Sequence, residues 1–213
     1  TRLFMSTPAI CILGTGAYAP AKVLTNHELA RTVDTTDEWI VSRSGIKERH
    51  IAADDEATSD MAIKCAQAAL LDAGIKAEEI DLLIVATCTP DYLLPSTACV
   101  VQHQLGVLPH ATCFDISAAC SGFLYALEIA YGQLLTGRYK CALIVGSEKL
   151  SSIIDWSDRT TCVLFGDGAG AAVLKKVDQP GIGIIGSDLG ADGAMRELLY
   201  MPAGGSRCPA SPQ

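Results

Sequence analysis

The sequence predicts an α/β protein. Three observations carry that prediction. Short apolar runs alternate with longer segments of helical period, those runs are apolar on both faces, and 49% of the 213 residues are hydrophobic, enough for a buried core. The strand candidates are residues 9–13, 81–87, 112–117, 141–146, 168–174 and 183–187. Strands of this composition belong between layers of helix.

The helices have readable ends. One starts at Thr25, where Thr25-Asn26-His27-Glu28 has the S/T-x-x-E form of a capping box, and a second near Thr35, where Thr35-Thr36-Asp37-Glu38 repeats it. A third is expected over 59–73, with Met61, Cys65, Ala68 and Ala69 on one face and Gly74 as its stop; a fourth covers 97–105 before Gly106. The longest, 120–135, carries Phe123, Leu127, Ala130, Tyr131 and Leu134 on a stripe before Gly137 and is expected to be central and buried. From residue 201 the composition turns to that of a loop or linker.

Charge narrows the function classes. Sixteen Lys and Arg against 24 Asp and Glu give a net charge of −8, which argues against a broad nucleic-acid or anionic-membrane footprint. An anionic ligand must be met by a local cluster. No apolar run approaches the roughly 18 residues that cross a bilayer. The first residues lack the apolar core of a signal peptide, Met5 is a candidate natural start, and a cytoplasmic location is expected. The nine cysteines are odd in number and never spaced Cys-x-x-Cys, the usage of free thiols in a reducing compartment; neither disulfides nor a metal site is expected.

Gly14-Thr15-Gly16-Ala17-Tyr18-Ala19 matches a dinucleotide fingerprint, but Pro20 follows and no helix opens, so a tight turn leaving the first strand is preferred. Gly166-Asp167-Gly168-Ala169-Gly170-Ala171 lacks the Lys-Ser/Thr of a phosphate loop and reads as glycines for close packing. Phe114-Asp115-Ile116-Ser117-Ala118-Ala119-Cys120-Ser121-Gly122-Phe123 differs in kind. A strand ends in small residues, a cysteine follows at a sharp turn into a helix, and the arrangement resembles a nucleophile elbow built for sulfur. A helix N-terminus favours thiolate, and its free N–H groups can hold the oxyanion of a thioester under attack. The spacing by itself also allows a packing cysteine.

Trp39, Arg43, Lys47, Arg49 and His50 form a dense basic-aromatic cluster. Trp39 and Arg43, at i and i+4, share a helix face where an indole can stack on a base while a guanidinium meets phosphate; a solvated basic helix end is the alternative. Asp158-Arg159 is uninformative alone. The four histidines fit no metal pattern, and none is assignable as a base for Cys120.

Three motifs together, the stretch from Asp34 to Ile51, that from Phe114 to Phe123, and Leu164-Phe-Gly-Asp-Gly-Ala-Gly-Ala-Ala-Val-Leu, resemble β-ketoacyl-acyl carrier protein synthase III of the thiolase superfamily, over about residues 9–202. The resemblance implies two similar βαβαβαββ halves stacked as α-β-α-β-α layers. This chain would supply the first: residues 1–180 as the thiolase-like half carrying the nucleophilic Cys, and 181–213 as a final strand and loop leading to a second half.

It further implies condensation of an acyl-CoA with malonyl-acyl carrier protein in type II fatty-acid synthesis by a homodimer. Coenzyme A thioester would be a substrate, and no cofactor would be tightly bound. By the same resemblance Cys120 takes the acyl group, Trp39 and Arg159 sandwich the CoA adenine, Arg43 meets its phosphates, Thr35 lies at the same entrance, and Leu94 closes the partner's acyl pocket. The family's catalytic His and Asn, in His-Gln-Ala-Asn and Gly-Asn-Thr-Ser stretches, do not occur here. The 213 residues are therefore expected to accept an acyl group without condensing it. Two rival readings are a hydroxymethylglutaryl-CoA synthase-like or alkylquinolone-type condensing enzyme, and a non-catalytic dimerisation or scaffold half.

Overall fold

A computed structural model describes residues 9–179 and 182–210. Strand β1 (Ala9–Tyr18) is followed by β2 (Lys22–Thr25), helix α1 (Asn26–Leu29), α2 (Asp37–Ser44) and β3 (Glu48–Ile51). Then come α3 (Thr58–Ala73), β4 (Leu82–Ala86), α4 (Thr97–Leu105), β5 (Thr112–Ile116), α5 (Gly122–Leu135), β6 (Cys141–Lys149) and β7 (Asp167–Val177). One five-stranded sheet has the order β1-β7-β6-β4-β5, while β2 and β3 pair separately as a small antiparallel ribbon. β4 runs parallel to both β5 and β6; β7 is antiparallel to β6 and β1. Without the ribbon and its two helices, the main-sheet order is βαβαβαββ, as the resemblance implies.

Both faces of the sheet are covered, which is why its strands read as unbroken apolar runs. Leu83, Val85, Leu143 and Val173 pack under α3 and α4, whereas their neighbours Leu82, Ile84, Ile144 and Leu174 pack under α5. Successive residues of one strand thus serve opposite cores.

The glycines of β1 are explained by α3. Gly14 and Gly16 lie inside the strand, not in a turn after it, and a Cβ there would stand 2.3 Å from the Ala73 nitrogen and 2.1 Å from the Cys65 oxygen. They let helix backbone cross strand backbone, and no dinucleotide turn exists at this point.

The first capping box forms as read: the Thr25 hydroxyl accepts from the Glu28 N–H at 3.2 Å and the Glu28 carboxylate accepts from the Thr25 N–H at 2.9 Å. The second helix starts one residue later than expected. Thr36, not Thr35, accepts from the Trp39 N–H at 3.1 Å, and Asp37 is held at the first helical position by the Asn26 side-chain amide at 2.8 Å. α3 and α4 stop at Gly74 and Gly106, each left-handed.

Three expectations are corrected. Residues 183–187 form no strand; the Ile184 N–H gives one hydrogen bond to the Ile10 oxygen, and Gly183 approaches that oxygen at positive φ instead of running alongside β1. Helix α5 buries Ala126, Ala130 and Leu134 but leaves Leu124 exposed, so it is covered on one side only. Ala68 is exposed on α3. Met5 and the boundary at 180/181 lie outside the described residues. Residues 199–210 are loop apart from one bridge between Gly205 and Cys208. Among the described residues no helix is long and apolar enough to cross a membrane.

Candidate active site

The chain leaves β5 through a strained turn. Ala119 has φ +46, the left-handed region that costs an L-residue about 1–2 kcal/mol, and it starts a single 3-10 turn, Ala119–Ser121, that carries Cys120 directly before α5. That is the geometry of an elbow: strand, strained residue, exposed cysteine, helix. Two devices hold it. A Cβ on Gly122 would stand 3.2 Å from the Ala86 Cβ, so α5 starts close against the end of β4. The Asp115 carboxylate accepts from the Thr97 and Ala98 N–H groups, both at 2.7 Å, tying β5 to the positive N-terminus of α4.

Cys120 borders a cavity of about 310 Å³ whose wall includes Ala86, Phe123, Gly146, Glu148 and Gly168. Gly146 leaves room for the Phe123 ring, 3.3 Å from where a Cβ would lie. Glu148 is not among the residues the sequence singles out; its signal there is a Glu-Lys pair directly after the run 141–147. Its carboxylate accepts from the Cys88 N–H at 2.8 Å and the Thr89 hydroxyl at 2.6 Å, which ties the loop after β4 to the cavity wall. Beside it, the Lys149 ammonium donates to the backbone oxygens of Ala53, Asp54 and Glu56 at 2.8, 3.3 and 2.8 Å.

Among the described residues no histidine lines this cavity. The single asparagine, Asn26, is buried and committed: its amide donates to Asp37 and to the Ile46 oxygen, and its oxygen accepts from Arg49.

The cysteines sort by environment. Burial pushes the Cys65 thiol up to about 12 and the Cys113 and Cys141 thiols up to about 11, and Cys162 is raised by the same cause. Such thiols pack and do not react. Cys120 is exposed on its turn, as are Cys88, Cys99 and Cys208 elsewhere.

The basic-aromatic cluster divides. Arg49 is buried, bridging the Leu24 oxygen, Asn26 and the Val163 oxygen, and His50 Nδ1 meets the Pro20 oxygen at 2.5 Å, so both are architectural. Lys47 is exposed. Trp39 gathers two guanidinium groups: Arg43 lies 4.4 Å and Arg159 4.7 Å from its ring centroid. Thr35 is adjacent in sequence to Asp34, which holds Arg159, and its hydroxyl is sealed from solvent without a partner. Leu94 lies elsewhere, exposed with Leu93 on the loop before α4.

Comparison with known proteins places these features in a family context. A profile for 3-oxoacyl-[acyl-carrier-protein (ACP)] synthase III matches residues 114–193. The β-ketoacyl-[acyl-carrier-protein] synthase III of Caldanaerobacter subterraneus is 59% identical over 200 residues, which cover 94% of this chain and 60% of that protein. Among solved structures, synthase III from Thermus thermophilus superposes with a TM-score of 0.85 at 48% identity, covering 89% of this chain and 58% of that one. Synthase III from Pseudomonas aeruginosa gives 0.86 at 42%, covering 94% and 62%. The chain spans about three fifths of the length of the curated relatives it matches.

Proposed function

From its similarity to β-ketoacyl-[acyl-carrier-protein] synthase III, we propose that this chain belongs to that family and supplies the acyl-accepting part of a condensing enzyme of type II fatty-acid synthesis. The observation that carries the reading is Cys120, exposed on a strained strand-to-helix turn at the edge of a cavity. In the first step the Cys120 sulfur attacks the carbonyl carbon of an acyl-CoA. The new carbon–sulfur bond forms, the bond to the coenzyme sulfur breaks, and the thiol proton departs with coenzyme A. In the second, malonyl-acyl carrier protein loses carbon dioxide, its carbanion attacks the Cys120 thioester, and the cysteine is released.

The second step develops an enolate that needs donors. With Asn26 committed and no histidine at the cavity, the described residues do not provide the family's pair. Trp39, Arg43, Arg159 and Thr35 are proposed to meet the nucleotide end of coenzyme A: a base on the indole and guanidinium faces, phosphates on the arginines. Coenzyme A thioester is thus a substrate, and the scheme calls for no resident cofactor.

The exposed pair Leu93 and Leu94, together with the open edge of β5, supports a homodimer in which Leu94 reaches the partner's acyl pocket. Free thiols support a cytoplasmic setting. Incubation with acetyl-CoA followed by peptide mass spectrometry tests the reading. One acyl group on Cys120, abolished by Cys120→Ala, is expected; label on another cysteine overturns the assignment.

A further inference from the structure

The slot meant for a nucleotide base is occupied by the protein itself. Arg159 lies 4.7 Å from the Trp39 centroid, a spacing that leaves no room for a ring between them. An inserted aromatic ring needs two stacking distances, about 7 Å in all. Arg159 is also held where it is: its Nη1 donates to the Asp34 backbone oxygen at 2.7 Å and meets the Asp34 carboxylate at 3.3 Å. That carboxylate is fully exposed and makes no other side-chain hydrogen bond among the described residues. Thr35, the next residue, keeps its hydroxyl sealed and unpartnered, a polar atom that the closed arrangement leaves unused.

We propose that Asp34 and Arg159 form a latch that closes the nucleotide slot of the free chain, and that Asp34 is a positioning residue that sets how readily coenzyme A opens it. The latch rests on the coenzyme reading of Trp39 and Arg159. Its action is to hold the guanidinium on the indole until an entering base takes that face and the ligand's phosphates draw the arginine away from the carboxylate. The ion pair is exposed and the backbone contact survives loss of the side-chain charge. Asp34→Asn therefore eases opening without removing the closed state.

Two measurements test it. In a Trp156→Phe background, which leaves Trp39 as the only indole, Asp34→Asn raises acrylamide quenching of Trp39 fluorescence in the free chain; unchanged quenching overturns the latch whatever the ligand does. By calorimetric titration with coenzyme A, Asp34→Asn tightens binding roughly two- to five-fold, as for release of an exposed ion pair. The same change in an Arg159→Ala background leaves affinity unaltered. Equal tightening in both backgrounds makes Asp34 a plain repeller of phosphate and overturns the latch. If quenching rises while coenzyme A fails to bind, or binds equally to Trp39→Ala, the coenzyme reading falls, and with it the claim that the latch admits this ligand.

Discussion

Gly16 touches Cys65: a Cβ on the strand residue would stand 2.1 Å from the helix residue's carbonyl oxygen, with the Ala69 nitrogen 2.5 Å away. Both obstacles are backbone, so nothing can rotate aside. Gly16→Ala is expected to cost about 3 kcal/mol, read as a lower urea midpoint, because β1 and α3 must separate. Gly132→Ala, in α5 where nothing lies within 4 Å, should instead stabilise by about 1 kcal/mol.

The strained elbow makes a separate prediction. Ala119→Gly relieves φ +46 and should raise stability by about 0.5 kcal/mol after the entropic cost of glycine, whereas Ala119→Val should lower it by about 2 kcal/mol. The valine variant should also acylate Cys120 more slowly, as followed by mass spectrometry over time, because the turn that presents the sulfur is displaced.

These two cases show what the sequence could and could not tell. Helix stops were legible at Gly74 and Gly106, because a left-handed residue after an apolar stripe has a local cause. So was the elbow, since small residues, cysteine and Gly122 lie within one short stretch. Gly14 and Gly16 look like a turn in the sequence because the helix that needs them starts about forty residues later. Arg49 falls among the basic-aromatic residues in the sequence because its partners Leu24, Asn26 and Val163 are brought together only by the fold. Thr35 lost its capping role to Thr36 through the contact between Asn26 and Asp37, again between elements.

Thiol reactivity should follow burial. Brief iodoacetamide treatment of the folded chain should label Cys120 and leave Cys65 and Cys141 untouched, since burial pushes those two thiols up to about 12 and about 11. A Cys120 no more reactive than Cys65 would favour a scaffold role.

A pH dependence is built into the loop before α3. Glu56 accepts from the Tyr18 hydroxyl and the Lys64 ammonium, both at 2.6 Å. Burial pushes its pKa up, but the bonds from Lys64 and Tyr18 outweigh that and leave it below the usual carboxylate value. A lowered folded-state pKa stabilises the fold above the unfolded value, and the contribution is lost as pH falls through the folded one. Glu56→Gln should therefore be less stable than the parent at pH 7, with the gap closing as the pH drops below about 4. Urea midpoints measured from pH 7 down to pH 3 read this directly.

The 213 residues should become acylated from acetyl-CoA yet form no 3-oxoacyl product with malonyl-acyl carrier protein, because no histidine borders the cavity and Asn26 is locked into the core. Chromatography of the carrier-protein products would detect condensation, and its appearance would refute the claim.

On the proposed acyl-CoA chemistry, the three carbonyls around Lys149 have a chemical meaning. Activated acyl groups modify amines, and Lys149 is next in sequence to Glu148 at the cavity wall. Lys149 must give up its hydrogen bonds to the oxygens of Ala53, Asp54 and Glu56 before its nitrogen can reach an acyl carbon. The same contacts that hold the loop against the sheet are therefore expected to keep acyl label off Lys149 when the chain is incubated with acetyl-CoA and its peptides are weighed.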